Sequence, residues 1–136
     1  MSFSLHPALK KDCIKLGQLE LCRVLLMNDS QFPWLILVPE REDITEIYQL
    51  SATDQQQLMH ESSYIAEQLA LLFHADKMNI AALGNMVPQL HIHHVVRYKT
   101  DKAWPAPIWG LFDALTYTEK ELKAIVEKLL PALELK

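Results

Sequence analysis

Gln89-Leu90-His91-Ile92-His93-His94-Val95-Val96 decides how the chain is read, because the run is both strand-like and rich in imidazoles. Successive side chains on a strand point to opposite faces, so Gln89, His91, His93 and Val95 share one side while Leu90, Ile92, His94 and Val96 share the other. Two imidazoles therefore stand side by side. Leu90, Ile92 and Val96 anchor their own face in a core, where His94 also fills a core or edge position, and this leaves the His91 face free to line a polar cleft. A single histidine on a strand is ordinarily just a satisfied polar residue; here three of the chain's six fall between positions 91 and 94.

Working outward, this strand is expected over 89–98, with another over 78–83 before it and the turn Gly84-Asn85-Met86-Val87-Pro88 between them. Upstream, Leu58, Ser62, Ile65, Leu69 and Leu72 recur at three- and four-residue spacing, which predicts a helix over 53–73 with Thr53 as N-cap and Gln56 as its capping-box partner. Earlier still, strands over 19–27 and 34–38 read as an antiparallel pair around Asn28-Asp29-Ser30, after a short helix over 7–12. Beyond the histidines, Trp104-Pro105-Ala106-Pro107-Ile108-Trp109-Gly110 holds too much proline for regular structure and is expected as an ordered loop whose tryptophans pack on something. A closing helix over 118–130 is amphipathic through Leu122, Ile125, Val126 and Leu129. Strands, a long helix, strands and a tail helix make an α+β chain with a largely antiparallel sheet.

At 136 residues the chain fits one domain over 1–136, large enough to bury a core without disulfides or metal. No window approaches the roughly 18 apolar residues of a membrane span, and the N-terminus has no pattern of a secretory leader. Cys13 and Cys22 are read as reduced thiols, which fits a cytoplasmic location. A net charge of −4 argues against a footprint on long DNA or RNA, which needs clustered Lys and Arg to release counterions. It leaves room for a small phosphorylated ligand, because backbone N–H groups and histidines can make a pocket electropositive inside an acidic surface.

Phosphate chemistry gives paired imidazoles a purpose. One neutral imidazole attacks phosphorus and forms a covalent phosphoramidate, while the other donates a hydrogen bond to phosphate oxygens or to the departing group. A metal site competes for the same pair, since His-x-His on a strand places two ring nitrogens on one ion, but its third ligand would have to come from His6, His60 or His74 through the fold. No glycine-rich phosphate loop, dinucleotide fingerprint or Gly-x-Ser-x-Gly motif is present.

Val87-Pro88-Gln89-Leu90-His91-Ile92-His93-His94-Val95 resembles the signature of the histidine-triad (HIT) superfamily, His-φ-His-φ-His-φ-φ with φ apolar, and Trp34-Leu35-Ile36-Leu37-Val38-Pro39-Glu40-Arg41 resembles its upstream strand. The resemblance implies a HIT-like α+β fold with a mainly antiparallel sheet of about five strands, one long helix and a C-terminal helix. It also implies a homodimer and a nucleotide substrate, adenine or another purine, attacked at its α-phosphate without metal or cofactor. Nucleoside phosphoramidates and dinucleoside polyphosphates are the substrate classes so implied. By resemblance the nucleophile falls on His91, the phosphate-contacting last histidine on His93, and the residue orienting the nucleophile through its backbone carbonyl on Gln89. Asn85 falls on the phosphate-contacting turn position, Asn28 on the ribose contact, and Leu26 and Met27 near the base. The chain departs from the family in carrying Gln89 at the first triad position and Trp34 at the start of the upstream strand, where many members have histidine.

Three functions follow as expectations: a HIT-like hydrolase or nucleotidyl transferase working through a nucleotidyl-His91 intermediate; a binding module with little turnover; and a His-x-His metal protein. Trp104 and Trp109 are expected to cover the sheet or a dimer contact, with stacking on a base as the alternative. Arg97 is expected as a surface charge or as a contact to an anionic substrate.

Overall fold

The computed structural model describes residues 3–136; Met1 and Ser2, the start of the segment read as carrying no leader, lie outside it. Helix α1 (Pro7–Asp12) runs straight into β1 (Cys13–Gln18), followed by β2 (Cys22–Met27) and β3 (Trp34–Pro39). The long helix α2 (Ala52–Phe73) leads to β4 (Lys77–Ala81) and β5 (Ile92–Arg97), and α3 (Glu119–Leu133) closes the chain. The strands form one sheet in the order β1-β2-β3-β5-β4, antiparallel at every pairing. The expected α+β class and mainly antiparallel sheet of about five strands are found.

Strand β1 was not anticipated. Cys13-Ile14-Lys15-Leu16-Gly17-Gln18 alternates poorly, and its pairing with β2 slips between Lys15 and Gly17. Gly17 is there for contact rather than propensity: a Cβ on it would lie 2.9 Å from Cβ of Leu135. The strand expected over 19–27 begins only at Cys22, because residues 19–21 turn the chain from β1 into β2. Glu61 of α2 fixes that turn, its buried carboxylate accepting the backbone N–H groups of Leu21 at 2.8 Å and Cys22 at 2.9 Å.

The N-cap of α2 is Ser51 rather than Thr53, since the Ser51 hydroxyl accepts from Asp54 N–H and leaves Thr53 inside the first turn. Helix α3 extends past Pro131 to Leu133, with Thr118 and Glu121 forming a reciprocal capping box. Both helices lie on one face of the sheet. There Val24, Leu26, Leu35, Leu37, Ile92 and Val96 pack against Leu58, Ile65 and Leu69 of α2 and Leu129 and Leu133 of α3. His94 belongs to this face too, wholly buried, with Nε2 2.7 Å from the Ser62 hydroxyl.

The face expected to be free is covered. Leu25, Trp34, Ile36, Val38 and Val95 pack beneath Leu5 and Leu9 from the N-terminal segment and Phe32, Ala103 and Ile108 from loops. Loops have no helical period, so of this second core the sequence announced only the tryptophan-rich loop, expected to cover the sheet or a dimer contact.

Candidate functional site

His91 and His93 lie within the covered face, 6% and 7% exposed, their ring centroids 4.9 Å apart in an edge-on arrangement. His93 is on β5 opposite Ile36, whereas Gln89, Leu90 and His91 precede the strand's regular pairing. Loss of pairing at Gln89 frees its backbone carbonyl, and Nδ1 of His91 sits 2.7 Å from that oxygen. A carbonyl only accepts, so Nδ1 carries the proton and Nε2 keeps its lone pair. The side chain of Gln89 does separate work: Oε1 accepts from His6 N–H at 2.8 Å and Nε2 donates to the Ser4 carbonyl at 2.9 Å.

His91 opens onto a cavity of about 450 Å³ whose wall includes Thr45, Tyr48, Gln55, Leu83 and Gly84. Its one charged lining side chain is Glu46. An anion held here would therefore depend on N–H and imidazole donors rather than on Lys or Arg. Gly84 turns the chain out of β4 at φ +80°, and the next residue, Asn85, is exposed at the tip of that turn.

His93, edge-on to His91, belongs to an aromatic cluster. The indole N–H of Trp34 donates to its Nδ1 at 3.0 Å. Trp109 stands edge-on to both, 5.5 Å from His93 and 6.4 Å from Trp34 between centroids. Burial first, then the crowding of two more imidazoles, those of His91 and His94, against which a further positive charge is disfavoured, pushes the pKa of His93 from its ordinary 6.5 down to about 3. Burial also lowers His94, to about 4. Trp34 and Trp109 in turn line a second cavity of about 290 Å³ with Met27, Phe32 and Phe112.

The expected site residues are only partly brought together. His91, His93 and the Gln89 carbonyl converge as expected, Asn85 follows Gly84 in the adjoining turn, and Met27 lines the second cavity. Asn28 is half-buried and its Oδ1 accepts from Tyr117 N–H at 2.9 Å, tying it to the C-terminal segment. Leu26 is a correction: the alternation of β2 turns it into the helix-side core, fully buried and away from His93. Arg97 is another, neither a surface charge nor free for a substrate. It is 1% exposed and spends its guanidinium on Asp101, at 2.8 and 3.1 Å, and on Asn79 at 2.7 Å. Of the two tryptophans, Trp109 packs on His93 while Trp104 faces the Arg97 guanidinium at 5.7 Å. Contact of Trp109 with His93 had no local signal beyond the richness of its loop in tryptophan and proline.

Among the described residues no group of three His, Cys, Asp or Glu side chains lies within reach of one ion, both thiols are free, and no helix is long and apolar enough to cross a membrane.

Comparison with known proteins agrees with the fold. The model of the HIT domain family matches residues 8–100. The fold is similar to a histidine triad protein from Marinobacter aquaeolei VT8, with 53% identity, 98% of each chain covered and a TM-score of 0.96. A histidine triad protein from Bradyrhizobium japonicum is 43% identical over 98% of this chain and 99% of its own, with a TM-score of 0.94. One from Sinorhizobium meliloti 1021 is 42% identical over 96% and 97%, with a TM-score of 0.93. No curated protein matches the chain.

Proposed function

The chain belongs to the HIT family, and from that premise we propose that it is a nucleotide hydrolase or nucleotidyl transferase in which His91 attacks the α-phosphorus of a nucleotide. The observation that carries this is the bond between His91 Nδ1 and the Gln89 carbonyl, which commits the free lone pair to Nε2 on the ring that lines the cavity. Attack forms an Nε2–P bond and the leaving group departs with its electron pair; water then replaces the imidazole. The Gln89 carbonyl steadies the positive charge that the ring gains, and His93 donates to the phosphate oxygens.

On this proposal the substrate is a nucleoside phosphoramidate or dinucleoside polyphosphate with an adenine or other purine base. The chain works as one domain over 1–136, in the cytoplasm, where its free thiols suit a reducing environment. The homodimer implied by family resemblance has an edge available in β4, which ends the sheet with Ile80 half exposed.

The test incubates wild type and His91→Ala with adenosine phosphoramidate, diadenosine polyphosphates and an adenylylated lysine analogue, scoring AMP release with and without a chelator. Release by wild type alone, insensitive to chelation, is the expected result. His91→Ala should abolish turnover yet leave nucleotide affinity within about tenfold, because a nucleophile acts chiefly in the transition state. Equal loss of binding and rate would count against the assignment, and AMP binding without release would make the chain a binding module.

A further inference from the structure

The two imidazoles are held in opposite tautomers, and the residue responsible for one of them is Trp34. An indole nitrogen donates and has no lone pair to accept with, so His93, which receives the Trp34 N–H at Nδ1, must carry its own proton on Nε2. Adding a second proton would set one N–H against another across 3.0 Å. The rings packed on His93 are those of His91, Trp34 and Trp109, none of them anionic, so nothing in contact favours an imidazolium. His91 has the complementary arrangement, with its proton on Nδ1 and its lone pair on Nε2.

We propose that Trp34 locks His93 as a neutral Nε2–H hydrogen-bond donor and thereby selects nucleotides whose leaving group departs as an oxyanion, phosphoanhydrides over phosphoramidates. The selection rests on the nucleophile proposal above. When the Nε2 lone pair of His91 forms its bond to phosphorus, the P–O bond to the bridging oxygen breaks and its electron pair stays on the departing phosphate. That anion needs no proton, since the second ionisation of a phosphate monoester lies near pH 6. His93 donates a hydrogen bond throughout and transfers nothing. Water then bonds to phosphorus, the N–P electron pair returns to Nε2, and the water's proton goes to solvent. A phosphoramidate differs at the first step, because the P–N electron pair must leave on nitrogen, which requires a proton as the bond breaks. A neutral imidazole is too weak an acid to give one, and Trp34 opposes the imidazolium that would. A histidine at position 34 can accept as well as donate, so it lifts the block.

The experiment compares kcat/KM for diadenosine tetraphosphate and adenosine 5′-phosphoramidate in wild type, Trp34→His and Trp34→Phe, and reads the His93 tautomer by ¹⁵N imidazole NMR. Wild type should favour the tetraphosphate by about a hundredfold or more, equivalent to roughly 2.7 kcal/mol, and show the His93 proton on Nε2. Trp34→His should narrow that ratio at least about tenfold, chiefly by gaining phosphoramidate turnover. Trp34→Phe keeps a ring without the N–H, so His93 should become a mixture of tautomers and the ratio should narrow by less. A wild-type ratio near one, a His93 proton on Nδ1, or ratios unmoved in both variants would overturn the lock. Turnover lost in His91→Ala beside unmoved ratios leaves the nucleophile standing and removes only the lock; no release from any substrate removes the hydrolase proposal and the selection with it. If Trp34→His fails to fold, the spectra and ratio of Trp34→Phe decide.

Discussion

The two faces of the sheet are built from different material. Helices cover one: α2 and α3 place Leu58, Ile65, Leu69, Leu129 and Leu133 on Val24, Leu35, Ile92 and Val96 in an apolar layer interrupted by the Ser62–His94 pair. One short helix and irregular chain cover the other, where the N-terminal segment with Leu5 and Leu9 packs on the sheet and the loop through Trp109 lies against His93. The difference separates stability from chemistry. A helix that buries a stripe can be tightly packed without being addressed by any ligand, whereas a layer of loops can enclose imidazoles and still leave cavities beside them.

Substitutions on the helix side should therefore strike stability hardest. Leu69→Ala empties a fully buried position between α2 and the sheet and should cost about 2–5 kcal/mol in urea denaturation, with kcat per folded molecule unchanged. Comparable loss of kcat in the folded fraction would mean that the faces are not separable. Next in size, Glu61→Gln leaves one of the Leu21 and Cys22 N–H groups facing an amide that cannot match both; a loss of about 1–3 kcal/mol is expected, with faster amide exchange at those two positions.

Acid should weaken the fold through both faces at once. His93 and His94 have folded pKa values near 3 and 4, below the ordinary 6.5, so between those limits the unfolded chain binds more protons than the folded one. Stability then rises with pH, is fully present above about 6.5, and is lost as pH falls, by about 1.4 kcal/mol per pH unit for each proton. His94→Gln should flatten the slope of stability between pH 4 and 6 by about one proton; an unchanged slope would show that His94 is already protonated in the fold. The smallest effect belongs to Gln89→Ala. It keeps the carbonyl under His91 but drops two hydrogen bonds to the N-terminal segment, so thermal unfolding should register about 1 kcal/mol while kcat changes by less than about threefold. A large fall in kcat would show that the amide itself takes part.

Much of this was legible in the sequence, for reasons that differ by element. The period of Leu58, Ser62, Ile65 and Leu69 predicts α2, and the alternation from Leu90 to Val96 divides His91 and His93 from His94, because helix and strand repeats are local properties of the chain. Strand β1 escaped because Gly17 and a register slip break its alternation, and what justifies that glycine is Leu135 at the far end of the chain. Leu26 was misplaced for a related reason: one residue of register along β2 exchanges the two faces, so Met27 lines the aromatic cavity and Leu26 does not. The role of Trp34 was visible only as a departure from the motif. Its bond to His93 spans 59 positions of sequence, which no local pattern encodes.

Those spans also bear on how the protein assembles. Gln89 reaches back 83 and 85 positions to close on the N-terminal segment, and Asn28 reaches forward 89 to hold Tyr117, whereas each turn of α2 closes within itself. Distant contacts form only after the chain between them has surrendered its loop entropy, so they come late. During refolding the helical signal should return first and nucleotide binding after it. The newly made protein would thus spend its first moments folded on the side that holds it together and open on the side that works.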